Sequence, residues 1–123
     1  MRARNIKPAF FKNEDLGEND PYVRLLFIGL WCMADREGLL EYRLKRLAVE
    51  VFPYDNPEIT RQLEKWIDTL GTLKLVEFWT NGSGEKLYIE IVNFKKHQHP
   101  HKNEKASEIK PLLNNQEITR LIQ

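Results

Sequence analysis

Apolar residues at Ile59, Leu63, Trp66, Ile67 and Leu70 recur at the helical period and predict a helix with one buried stripe between Asn56 and Gly71. Beyond Gly71 the period falls to two. Val76 and Phe78, then Leu87 and Ile89, alternate with polar residues on either side of Asn81-Gly82-Ser83-Gly84. Asn-Gly between two alternating runs is a strong hairpin signal. A four-residue loop there pairs Thr80 with Glu85, Trp79 with Lys86, Phe78 with Leu87, Glu77 with Tyr88 and Val76 with Ile89. That register gathers Val76, Phe78, Leu87 and Ile89 on one apolar face and leaves Trp79, Lys86 and Tyr88 on the other.

Upstream, Asp20-Pro21 reads as N-cap and first residue of a long helix reaching towards Arg36, apolar nearly all round because only Arg24 is charged between Tyr22 and Ala34. Such a helix belongs at the buried centre, and Gly38 suits a left-handed cap at its end. Leu39 to Tyr42 is a short strand. Arg43 to Phe52 is a short helix with Leu44, Leu47, Ala48 and Val51 inward, stopped by Pro53. Asn56 and Pro57 cap and open the next helix, and Asn13 caps a short turn over Glu14, Asp15 and Leu16. Helix, strand, helix, helix, hairpin is the order of a winged helix-turn-helix. The expected fold is therefore α+β, a winged helix over residues 13–94, with an N-terminal arm (1–12) held down by Phe10-Phe11 and a basic C-terminal extension (95–123). A short Ile118/Leu121/Ile122 helix pattern ends the chain without a cap, as in a fragment of a longer protein.

The net charge of +1 hides a segregation. Residues 1–12 carry four basic and no acidic side chains, residues 94–110 five Lys against two Glu, and residues 13–93 nine basic against fifteen acidic. Basic arms on an acidic body suit contact with phosphate, although charged termini are also simply solvated. No apolar run reaches the ~18 residues of a membrane span. The N-terminus leads into Asn5-Ile6-Lys7-Pro8 rather than an apolar signal core. With a lone Cys32, which excludes an intrachain disulfide, the expected compartment is the cytoplasm.

Several stretches together resemble the N-terminal domain of phage and prophage replication-initiation (replisome organiser) proteins. They are Arg2 to Pro8, Phe10 to Leu16, Arg24 to Trp31, Ala34 to Gly38, Val51 to Asp55, Ile91 to Phe94 and Lys96 to His101. The resemblance covers residues 2–105. It implies a winged-helix module that engages DNA, duplex or single-stranded, next to a region that recruits helicase-loading proteins.

The sequence holds no P-loop, nucleophile elbow or Cys-x-x-Cys pair, so no enzyme and no cofactor are expected. His97-x-His99-x-His101 would put three imidazoles on one face of an extended segment. Lys95, Lys96 and Lys102 around it disfavour a divalent cation, leaving a phosphate contact or a clasp onto the core, without metal. The expected DNA-binding residues are Arg2, Arg4 and Lys7 in the arm, and Arg43, Lys45 and Arg46 on the short helix. Arg61 and Lys65 follow on the long one, Trp79 and Lys86 on the wing, and Lys95, Lys96, His97 and Lys102 in the extension. Trp79 has two readings, an outward stacking platform beside Lys86 or a side chain packed under the arm against Phe10 or Phe11. Competing functions are a protein-interaction scaffold using the acidic body and a phage transcription regulator.

Overall fold

The computed structural model describes residues 1–100, 102–109 and the strand Leu113–Asn114. Pro8 opens a 3-10 turn, Pro8–Lys12, from which Phe10 packs edge-on to Trp31 at 5.3 Å. The arm is thus held by one phenylalanine only, because Phe11 stays exposed. Asn13 accepts the Leu16 N–H and starts α1 (Glu14–Gly17), where Leu16 is buried. Asp20 likewise accepts the Tyr22 N–H at 2.9 Å and starts α2 (Pro21–Met33).

Helix α2 ends earlier than its apolar pattern suggests. Ala34 is extended, and the Asp35 carboxylate accepts the N–H groups of Glu37 and Leu39, folding the chain into a turn. Gly38, with φ 82°, serves that turn rather than a helix cap, and a Cβ on it would lie 2.6 Å from Phe94 Cβ. The turn delivers β1 (Leu39–Glu41), followed by α3 (Leu44–Val51) and α4 (Pro57–Thr72). Asn56 caps α4 through the Glu58 N–H, as expected. Gly71 does not end this helix, which runs on to Thr72. The stop is a Schellman arrangement in which Leu75 N–H bonds Leu70 O and Lys74 N–H bonds Gly71 O, each at 3.0 Å, with Lys74 left-handed at φ 61°.

Helices α2, α3 and α4 pack on one face of an antiparallel sheet ordered β1-β3-β2, with β2 (Val76–Thr80) and β3 (Leu87–Ile91) forming the hairpin. Leu26, Leu30, Leu47, Leu63, Ile67, Leu70 and Ile89 are fully buried between them. Each such side chain contributes about 1.5–3 kcal/mol. Tyr22 stacks on Trp66 at 5.1 Å and Phe52 meets both rings edge-on, tying the start of α2 to the α3–α4 turn. This is a small α+β domain whose element order is compatible with the expected winged helix. Among the described residues no helix is long and apolar enough to cross a membrane.

The hairpin register differs from the expectation by two residues. Thr80 pairs with Leu87, Trp79 with Tyr88, Phe78 with Ile89, Glu77 with Glu90 and Val76 with Ile91. The loop is therefore Asn81 to Lys86, in which Asn81 Oδ1 accepts the Lys86 N–H at 3.1 Å and Gly84 is left-handed. A shift by an even number keeps every side chain on its face, so the apolar set survives the error. After β3, Asn93 (φ 59°) turns the chain into α5 (Phe94–His97). The extension then bonds at Asp35 through Ser107 Oγ and reaches the free edge of β2 as β4 (Leu113–Asn114), opposite Thr80 and Trp79. The Ile118/Leu121/Ile122 pattern lies outside the described residues.

Candidate nucleic-acid interface

The expected cations do not form one surface. Tyr42 N–H bonds Leu87 O at 2.9 Å across β1 and β3, and one residue beyond that bond on the two strands come Arg43 and Lys86. Strand register thus brings the wing lysine next to the start of α3, where Arg43, Lys45 and Arg46 are all exposed. Arg43 keeps a loose ion pair with Glu41 at 3.7 Å, with 64% of its side chain exposed. Tyr42, Leu44 and Val49 join the three α3 cations around an open groove with no carboxylate among its lining residues. Acids lie behind it, since the Tyr42 hydroxyl is pushed up to about 12 by burial first and then by Asp68 and Glu64 of α4.

The arm cations have other occupations. Arg4 is not a surface residue: its side chain is 5% exposed and every guanidinium nitrogen donates. Nε reaches Trp31 O at 3.0 Å, Nη2 reaches Ala34 O at 2.9 Å, and both Nη atoms bind the Glu104 carboxylate at 2.9 and 3.1 Å. The group also lies 5.0 Å from the centre of the Phe94 ring. This corrects the expectation of a phosphate-binding Arg4, because the side chain is buried and four of its five N–H donors already have fixed acceptors. Arg2 adds a second contact to Glu104 at 3.2 Å, and Arg36 donates to the Glu104 carbonyl. Held chiefly by the Arg4 hydrogen bonds, the Glu104 carboxyl sits below its ordinary range, against an opposing push from burial. Its side chain is 6% exposed, yet what covers it is a thin layer of guanidinium groups rather than depth in the core.

Lys7 donates to Lys96 O at 2.9 Å, and Gln98, buried, exchanges two hydrogen bonds of 2.8 Å with the backbone of Asn5. Arm and extension therefore run side by side. Lys95 pairs with Glu37, while Lys96 and Lys102 are exposed. The histidine reading changes too. His97 closes the helical turn α5, so the extended period-two face does not include it, His99 is exposed, and His101 lies outside the described residues.

Along α4, Arg61 pairs with Glu58 at 3.1 Å, and Lys65 shares its surface with Glu64 and Asp68. Charge of both signs on the outer face gives poor complementarity to a uniformly negative groove. Trp79 keeps the outward face of the first reading but not the directly opposed lysine. It faces away from the helices, paired with Tyr88 instead of Lys86, and no ring contact joins it to Phe10 or Phe11 among the described residues. Among the described residues its Nε1 is buried without a partner in hydrogen-bonding geometry. It still acts on Glu90 as a nearby dipole, lowering a carboxyl that burial and then Glu77 raise. The outward face of the wing is consequently aromatic and acidic.

Sequence reasoning overlooked Tyr54, 99% exposed at the α3–α4 turn, and Glu104. Glu104 had one signal, an acid within a lysine-rich stretch. Tyr54 had one as well, an aromatic residue between Pro53 and Asp55 where a core residue would be out of place. Comparison of the chain with protein-family models, with curated proteins and with solved structures finds no match.

Proposed function

We propose that the chain is a winged helix and a non-catalytic DNA-binding module of the phage or prophage replication-initiation type. The supporting observation is the exposed cluster of Arg43, Lys45 and Arg46 around a groove with no carboxylate among its lining residues, with Lys86 of the wing loop brought beside Arg43 by the Tyr42–Leu87 hydrogen bond. Cations so placed hold phosphates and fix orientation without reading sequence, in keeping with the mixed charge on α4. Lys65, Lys96 and Lys102, exposed elsewhere on the surface, would add separate phosphate contacts. Helicase-loading proteins are the partners this reading implies.

Titrating duplex and single-stranded DNA over a salt series tests it. Binding should fall with salt by about 0.9 log units per log unit for each phosphate contact on duplex. Lys45→Ala with Arg46→Ala and Lys86→Ala should weaken every sequence alike and flatten that slope, with stability kept. A protein-interaction scaffold is the second reading, favoured by the mixed charge on α4 and by Glu77 and Glu90 paired on the wing. It would show no salt-dependent DNA binding, and that result removes the proposal.

A further inference from the structure

An apolar cavity of about 250 Å³ lies between the N-terminal arm, α2 and the turn that follows β3. Phe10, Phe27, Trp31 and Phe94 form its walls with Leu75 and Ile91. At liquid density that volume holds roughly eight water-sized groups, the bulk of one aromatic ring with a short tail. The outer wall is built rather than loosely laid down. Gln98 clamps the Asn5 backbone from both sides, Lys7 is tied to Lys96 O, and Phe10 seats on Trp31.

The rim carries Lys7, Lys74 and His97, and none of the lining residues is an acid. Of these three only Lys74 belongs to the acidic body, residues 13–93 with fifteen acidic and nine basic side chains, and no acid of that body lines the cavity beside it. Neither Lys74 nor His97 has an ion-pair partner among the described residues. The backbone supplies a separate observation. The two non-glycine residues with positive φ among the described residues, Lys74 and Asn93, both lie on this cavity. The position of Lys74 after α4 is one that glycine ordinarily fills, because a Cβ there is sterically unfavourable. Strain retained at a lysine whose side chain borders an aromatic cavity points to use of that side chain.

We propose that the cavity binds a small organic anion with an apolar body, an aryl- or alkyl-carboxylate, its body between the aromatic walls and its carboxylate at Lys7, Lys74 and His97. The site is separate from the proposed DNA surface, since the α3 cations and Lys86 stand at the opposite end of β1.

The test titrates the full chain with 3-phenylpropionate, octanoate and the uncharged 3-phenylpropan-1-ol, read by tryptophan fluorescence and melting temperature. At least one acid should bind saturably and raise the melting temperature. The alcohol should bind more weakly than its acid. Lys74→Gly should raise the melting temperature of the free protein while weakening carboxylate binding about fivefold, as expected for losing one partly solvated charge contact. It should leave the alcohol unaffected, and Lys74→Arg should keep carboxylate affinity. Ala9→Trp, which fills the cavity from its exposed side, should abolish binding of all three. Lys45→Ala with Arg46→Ala should leave it intact, so that this site and the DNA reading stand or fall separately. No saturable binding of either acid at millimolar concentration overturns the proposal. Equal binding of acid and alcohol, insensitive to Lys74→Gly, overturns it as well.

Discussion

Arg4→Ala should destabilise this protein more than removal of any exposed cation. In the native chain the guanidinium serves three groups at once, the Glu104 carboxylate and the carbonyls of Trp31 and Ala34 at the end of α2. Truncation leaves Glu104 with Arg2 at 3.2 Å and leaves both carbonyls short of a donor. Breaking a deeply buried pair costs about 3–5 kcal/mol, and an exposed one about 0–1. Glu104 falls between these limits, because only a thin layer covers it and solvent screens the orphaned charge once Arg4 is gone. With each lost carbonyl bond adding about 0.5–1.5 kcal/mol, a total near 3 kcal/mol follows. Against a total stability of about 5–15 kcal/mol that is a large fraction, and it lowers the melting temperature by roughly 10–20 °C. Urea unfolding at neutral pH measures it, with Glu104→Ala and the double variant completing a cycle whose coupling should lie near 1–3 kcal/mol. The pH dependence has a definite sign. The folded Glu104 carboxyl is lowered, so its contribution is complete above its unfolded value and is lost as pH falls through the folded one. The native protein and Arg4→Ala should therefore converge in stability in acid. A loss within 0.5 kcal/mol of zero, taking ~0.5 as the scatter of ordinary surface substitutions, would refute the clamp.

Gly29→Ala should destabilise by about 1 kcal/mol although alanine is the better helix former, since its Cβ would lie 2.6 Å from Val51 Cγ1 across the α2–α3 contact; Val51→Ala in the same chain should reverse the loss. Glu77→Gln should stabilise by about 0.5 kcal/mol at neutral pH by removing a like charge opposite Glu90. Because the Glu90 carboxyl is raised, native Glu77 chains lose stability as pH rises through its folded value, and thermal melts of Glu77→Gln should show less of that loss. Trp79→Ala should lower stability by about 2 kcal/mol in urea unfolding and leave single-strand DNA affinity unchanged, the reverse of what a stacking platform would show.

Local signals in the sequence carried the elements well. Asn13, Asp20 and Asn56 each accept the N–H that their cap role requires, and the apolar stripe of α4 is the one the structure buries. The misses share a cause. The helical stripe of α4 was followed only as far as Leu70, but the helix continues to Thr72, and the missing side chain of Gly71 makes room for Phe78, whose ring edge would lie 2.6 Å from a Cβ there. The actual stop comes at Lys74, which takes the left-handed position that glycine ordinarily fills. The hairpin loop was assigned four residues from its Asn-Gly signal, whereas Asn81 reaches forward to Lys86 and lengthens it. Period-two patterning protects the faces against such a slip but not the pairs, so the Glu77–Glu90 opposition was invisible.

Charge was the least legible property, for a reason that also bounds the function. A count along the chain gives every arginine equal standing, but a cation releases counterions to a phosphate only if nothing in the fold already holds it. Arg4 is withdrawn completely, Arg2 leans on Glu104, and Lys95 and Arg61 sit against Glu37 and Glu58. On the DNA-binding reading, the phosphate contacts are left to Lys45, Arg46 and Lys86, and to Arg43 once its loose 3.7 Å pair with Glu41 opens, with Lys65, Lys96 and Lys102 exposed elsewhere. Four contacts on duplex correspond to a salt slope of about −3.6, at roughly 0.9 per phosphate. A slope much steeper than about −6.3, the value for all seven at roughly 0.9 each, would require the arm to let go of Glu104 on binding. Because that release sacrifices the stability assigned to the Arg4 clamp, Glu104→Gln should then tighten DNA binding, whereas with the clamp intact in the complex it should leave affinity unchanged.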